Sequence, residues 1–168
     1  IEIKYQEICN APTIGIGIRL GDFIKHGDFC QIDPDWYISA LLSQPFWSNY
    51  NVVIFSDDIE MAKEIFKEYN FFYAEPNGTH THADNFSHYH KDASEQFILG
   101  TMMDNWIIGN STFSWFQAWI AEQNSLHSTC QTKCKVIHSG KVFSDTGNMK
   151  HVNTEHYYCR NWIKHETI

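Results

Sequence analysis

Apolar and polar positions alternate strictly from Thr13 to Leu20. Ile14, Ile16 and Ile18 face one way and Gly15, Gly17 and Arg19 the other, which predicts a β-strand. Two glycines inside that strand weaken it and mark a place where backbone or ligand comes close. Asp33 followed by Pro34 reads as an N-cap with proline at the first helical position, opening a helix through Trp36 to Leu42. Asn51 to Phe55 has the composition of a buried strand. It runs into Ser56-Asp-Asp-Ile-Glu60, where Asp57 and Glu60 stand at capping-box spacing with Asp in place of Ser or Thr. The helix behind it puts Ile59, Ala62, Ile65, Phe66 and Tyr69 on one face.

Phe71 to Tyr73 gives another short strand. Glu75 to Lys91 has no period, carries Pro76, Asn77, Gly78 and four histidines, and reads as a loop. Ala93 to Asp104 is helical in pattern. Asn105 to Glu122 then combines a short buried strand, a polar turn and a helix, and Lys135 to His138 forms a last strand before an aromatic tail from Tyr157 to Ile163. Strands alternate with helices throughout. This predicts an α/β fold with a doubly wound, Rossmann-like parallel sheet, as one domain over residues 1–168.

Ligands gather outside the carboxyl ends of the strands in such sheets. The polar residues that fall there are Arg19, Asp22, Ser56-Asp57-Asp58 and Asn110-Ser111-Thr112. Asn110, Ser111, Thr112 and Ser114 crowd a helix start, and two readings stand side by side: ordinary N-capping, and an anion site built on free amides and the helix dipole. Arg19 offers forked, charge-assisted donors suited to a diphosphate. A carboxylate such as Asp57 or Asp58 suits a base edge or a sugar hydroxyl. Together these residues describe a nucleotide-sugar site better than any one of them alone.

Composition narrows the picture. Hydrophobic residues make up 43% of the 168 and aromatics 15%, which excludes a disordered chain. A formal net charge of −8 argues against a general binder of nucleic acid or anionic membranes, so a phosphate ligand needs local donors. No run approaches the roughly twenty apolar residues of a membrane helix, and no secretory leader is visible. The chain is expected to be soluble, and its start at Ile1 suggests a processed or excerpted piece. Five cysteines are an odd number with no two-by-two zinc spacing, and free thiols are expected. Sequons occur at Asn77, Asn85 and Asn110, the last a poor glycan site if it lies in the polar turn. His80, His82, His88 and His90, with Asp84 between the pairs, have metal-ligand character. Their spacing fixes no geometry, and adventitious binding outweighs a functional metal. Trp115, Phe116 and Trp119 are expected in the core rather than as an acceptor platform.

Several blocks resemble the α-1,2-fucosyltransferase family, glycosyltransferase family 11. Ile16-Gly-Ile-Arg-Leu-Gly-Asp-Phe23 is similar to its His-Ile-Arg-Arg-Gly-Asp-Tyr motif. Val53-Ile-Phe-Ser-Asp-Asp-Ile-Glu60 resembles its second block, and Asn110-Ser-Thr-Phe-Ser-Trp-Phe-Gln-Ala-Trp119 its Asn-Ser-Thr-Phe-Ser-Trp-Trp-x-Ala-Trp block. Asp35 to Ala40, Glu95 to Leu99 and Tyr158 to Ile163 follow in the family's order, so the likeness spans nearly the whole chain. It implies the C-terminal, donor-binding half of a GT-B-type enzyme that moves L-fucose from GDP-fucose to a sugar hydroxyl with inversion and without a required metal. The partners implied are GDP-fucose, a glycan acceptor and an N-terminal acceptor half beyond this chain. By the same resemblance Arg19 contacts the donor pyrophosphate, Asp57 or Asp58 lies near guanosine, and Ser111, Thr112 and Phe113 surround phosphate and nucleoside.

Two positions depart from the motif: Gly17 stands where the family often has histidine, and Leu20 where it has a second arginine. Loss of that guanidinium removes a contact typically worth roughly 1.5–3 kcal/mol, so weakened donor affinity is expected. An inverting transfer also needs a base near the acceptor hydroxyl and stabilisation of the departing diphosphate. Asp22 is the nearest carboxylate for the first task, with holding Arg19 or capping a turn as its structural alternative. Arg19 and the amides after Asn110 serve the second. A non-catalytic nucleotide-sugar or glycan-binding module on the same fold, and more weakly a metal-binding protein built on the histidine segment, are the other classes that the residues allow.

Overall fold

The computed structural model describes residues 5–21, 25–75, 86–127 and 133–166, for 86–92 the backbone only. Six strands form one sheet: β1 (Thr13–Ile18), β2 (Asn51–Ser56), β3 (Phe72–Tyr73), β4 (Asn105–Ile108), β5 (Lys135–His138) and β6 (Ile163–Lys164). Their order is β3-β2-β1-β4-β5-β6 and every pairing is parallel. The crossovers between them are α1 (Pro34–Leu42), α2 (Ile59–Ile65), α3 (Phe86–Gly100) and α4 (Thr112–His127). The fold is the Rossmann-like α/β arrangement, and its strand order reverses between β1 and β4.

The alternation in β1 does what the pattern predicted. Ile14, Ile16 and Ile18 enter a core with Trp36, Tyr37, Ala40 and Leu41 of α1 and with Ala62 and Phe66 at α2. On the other face, Trp106 and Ile108 of β4 pack with Leu99 of α3 and with Ala118 and Ala121 of α4. β1 is buried on both faces because its second face carries glycines. A Cβ at Gly15 would press on the Trp106 indole, and one at Gly17 would overlap Ser114 Oγ. The close approach at these glycines is thus made by packed side chains, letting the first turn of α4 lie directly on β1.

Four local expectations are revised. The segment read as a loop to Lys91 is helical from Phe86, so α3 begins seven residues before Ala93. The cap of α2 is Asp58, whose Oδ1 accepts the Met61 N–H at 3.0 Å, so the cap lies one residue beyond Asp57. The aromatic tail ends in the edge strand β6, too short for its two residues to show a period. Phe116 and Trp119 lie on the surface, 52% and 39% exposed. The buried stripe of α4 is instead Ser114, Gln117, Ala118, Ala121 and Glu122. Where this helix meets glycine-bearing β1, at Gly17, the small Ser114 lies beneath it, and Phe116 and Trp119 fall to its flanks.

Asp33 caps α1 as expected, accepting the Asp35 N–H at 2.9 Å, with Pro34 as the first helical residue. Cys9, Cys30, Cys134 and Cys159 are free thiols among the described residues; Cys130 lies outside them. No helix among them is long and apolar enough to cross a membrane.

Candidate active site at the carboxyl edge of the sheet

Register sets the positions before any side chain is considered. Ile18 pairs with Ser56 of β2, so Arg19 and Asp57, each one residue on, leave adjacent strands at the same level. Gly17 pairs with Ile108 of β4, so Asn110, two residues on, leaves the sheet level with Arg19 on its other side. Three of the four sequence-predicted clusters therefore meet at the point where the strand order reverses. The fourth, Asp22, lies outside the described residues, as do His80, His82 and Asp84; the side chains of His88 and His90 are also outside them.

Asp57 organises the first corner. Its Oδ1 accepts the Leu20 N–H at 2.9 Å and its Oδ2 the Gly21 N–H at 3.0 Å. Oδ2 also lies 3.1 Å from Arg19 Nε. The residue as a whole is exposed, but its side chain is only 14% so, against 28% for the Arg19 side chain. Asp57 is thus one carboxylate on Arg19; Asp22, expected either to hold Arg19 or to cap a turn, lies outside the described residues. A Cβ at Gly21 would press on the Asp57 carboxylate, so this turn tolerates only glycine without displacement. Leu20, at the second arginine position of the motif, is 7% exposed and belongs to the α1-side core.

The second corner is uncharged. Asn110 is 5% exposed, and its Nδ2 donates to the carbonyls of Cys30 at 2.8 Å and Val142 at 2.9 Å. Its side chain ties the β1–α1 connection to the segment after β5, which also meet in a bridge between Phe29 and Phe143. Buried and engaged in this way, Asn110 is closed to a glycan; Asn77 and Asn85 lie outside the described residues. Ser111 and Ser114 are buried, Ser111 supplies the carbonyl for the Trp115 N–H at 2.9 Å, and Thr112 opens α4. Phe113 packs edge-on against Phe97 of α3, with ring centroids 5.4 Å apart.

Residues that sequence reasoning did not place complete this corner. Tyr158 O–H donates to the Gly109 carbonyl at 2.7 Å, and Tyr157 O–H reaches the Asn110 carbonyl at 3.4 Å. The Tyr158 ring stacks on His138 at the end of β5, centroids 3.9 Å apart. His138 Nδ1 accepts the Gly140 N–H at 3.1 Å, and burial, with Lys164 nearby, lowers its pKa to about 4. The imidazole is therefore neutral near pH 7. Burial likewise raises the Tyr158 phenol well above its usual value, so it stays a donor. The paired tyrosines were visible as an aromatic tail, and only their sequence distance from Gly109 concealed the contact.

Among the described residues no group of three or more His, Cys, Asp or Glu side chains could hold a metal. What the edge offers is a held guanidinium and a helix start flanked by hydroxyls, an arrangement suited to an anionic ligand carrying two phosphates.

Comparison with known proteins bears on this arrangement. The chain is 29% identical over 126 residues to the O-antigen biosynthesis glycosyltransferase WbnK of Escherichia coli. The match covers 71% of this chain and 38% of that protein, so the chain spans well under half the length of that relative. No solved structure matches. The profile of glycosyl transferase family 11 matches residues 2–164, nearly the whole chain, and the Rossmann-like sheet is consistent with GT-B-type glycosyltransferases. The chain belongs to glycosyl transferase family 11.

Proposed function

We propose that this chain binds GDP-fucose and is the donor-binding part of a transferase that moves L-fucose to a sugar hydroxyl, forming an α-1,2 linkage with inversion. The observation that carries the reading is Arg19, fixed through Nε by Asp57 and standing level with the start of α4 across the strand reversal. As the fucosyl bond breaks, negative charge grows on the departing GDP. A guanidinium already fixed in place and a helix start stabilise that charge without reorganising. On this reading Asp57 acts through Arg19, while Ser111, Thr112, Ser114 and Phe113 line the phosphate and nucleoside side. Asp22, immediately after Gly21, is the proposed base for the acceptor hydroxyl, and the transfer needs no metal. The acceptor glycan is proposed to be held largely by a further N-terminal half.

Titration calorimetry of the chain with GDP, GDP-fucose and zinc tests this. GDP and GDP-fucose are expected to bind, and Arg19→Ala to abolish GDP binding. Unchanged affinity in that variant would show the pocket to be misplaced. The burial of Leu20 favours a second reading, a non-catalytic nucleotide-sugar-binding module, since the second cation of the motif is missing. Turnover of GDP-fucose with a galactoside acceptor, assayed in a protein that also carries the acceptor half, separates the two; binding without turnover there supports the module.

A further inference from the structure

Between the end of β4 and the start of α4, the Gly109 N–H bonds to the Gly17 carbonyl at 3.4 Å. Among the described residues the next two amides, of Asn110 and Ser111, have no hydrogen-bond partner. Across a trans peptide, a carbonyl and the N–H that follows it point in opposite directions. No peptide of the described residues is cis. Whatever holds the Gly109 carbonyl therefore aims the Asn110 amide, and whatever holds the Asn110 carbonyl aims the Ser111 amide. The holders are Tyr158 and Tyr157.

We propose that Tyr158, supported by Tyr157, is a positioning residue of the diphosphate site: its hydroxyl fixes the Gly109 carbonyl so that the amide behind it faces a phosphate oxygen. This rests on the reading of the edge as a GDP site. The two tyrosines are themselves held, so they impose the orientation rather than follow it. Tyr158 lies on the His138 ring with 21° between planes, and Tyr157 stands edge-on to Tyr158 at 4.9 Å. Trp115 of α4 donates from Nε1 to the Tyr157 carbonyl at 2.8 Å, joining the pair to the helix whose start they orient. Tyr158 O–H also lies 3.2 Å from the Lys141 carbonyl, but the Gly109 contact is the shorter. A fixed amide donor costs no reordering when phosphate arrives, which is the usual source of strength in a preorganised anion site.

The experiment compares the whole wild-type chain with Tyr158→Phe and Tyr157→Phe, each keeping its ring. Each is titrated with GDP and with guanosine, followed by protein NMR shifts. Tyr158→Phe is expected to weaken GDP roughly tenfold, the value of one hydrogen bond, while leaving guanosine unchanged. Tyr157→Phe, whose contact is longer, is expected to weaken GDP roughly threefold, as a weaker hydrogen bond would. Unchanged GDP affinity in Tyr158→Phe overturns the proposal. So does an equal loss for both ligands, which would mark the tyrosine as scaffold for the whole pocket. A wild-type chain that binds no GDP removes the diphosphate reading, and this inference with it. Wild-type binding with an unaffected Tyr158→Phe removes the inference alone.

Discussion

The two corners of the carboxyl edge are fixed by different physics. At the ends of β1 and β2 one carboxylate, Asp57, holds two backbone amides and a guanidinium. At the ends of β4 and β5 the work is shared among neutral groups: Asn110 between two loop carbonyls, two tyrosine hydroxyls, and a neutral histidine beneath one ring. In the charged corner one carboxylate makes three contacts, and its strength comes from hydrogen bonds to an ion, typically about 1.5–3 kcal/mol each. The neutral corner is distributed, so no single contact decides it. A cation for a ligand must be held by a charge or it would pair elsewhere; amides need only be aimed.

Asp57→Ala is the strongest test of this contrast. It strands the buried Leu20 amide and takes the carboxylate away from Arg19 Nε, and unfolding titration is expected to read a loss of about 3 kcal/mol, accompanied by loss of GDP binding. A loss below about 1 kcal/mol, the scale of an exposed ion pair, would mean that the corner is not built on this carboxylate. Asn110→Ala should cost less, about 2 kcal/mol for a buried amide donating to two carbonyls that water partly re-satisfies. GDP binding in that variant should weaken without vanishing, as calorimetry would show. If it costs as much as Asp57→Ala and abolishes binding, the neutral corner is no more distributed than the charged one.

The smallest effect at neutral pH belongs to His138. Its folded pKa of about 4 lies below the ordinary 6.5, so between these values the unfolded chain binds a proton that the folded chain does not. Stability supplied by the neutral ring is complete above about 6.5 and is lost as the pH falls toward about 4. Urea titrations of wild type and His138→Asn across this window should show a steeper acid loss in the wild type. Parallel curves would show that the ring is not kept neutral by its surroundings.

Much of the fold could be read in the sequence because its signals are local. Strict alternation marked β1, apolar composition marked β2, and Asp33-Pro34 marked the start of α1. The site was legible only as three polar clusters, each following a strand. The roles within it were not, because Asp57 and Asp58 are neighbours of like chemistry. Asp58 caps α2 and Asp57 grips Arg19, a division decided by which carboxylate the β1 register brings beside Leu20 and Gly21. Phe116 and Trp119 were misplaced for a related reason: helical periodicity shows which residues share a face, but not that the face laid on β1 is the one whose Ser114 sits against Gly17.

By itself, then, the sequence determined the alternation of strands and helices, the family blocks and the clusters of polar residues at strand ends, since each depends on residues near one another in the chain. Only the tertiary structure decided that β1 sits at the strand reversal between β2 and β4, that Leu20 is core, and that Tyr157 and Tyr158 hold the turn before α4. Those contacts join residues some 37 to 49 positions apart. Across such distances, pairing is chosen by packing and by the satisfaction of buried carbonyls and amides.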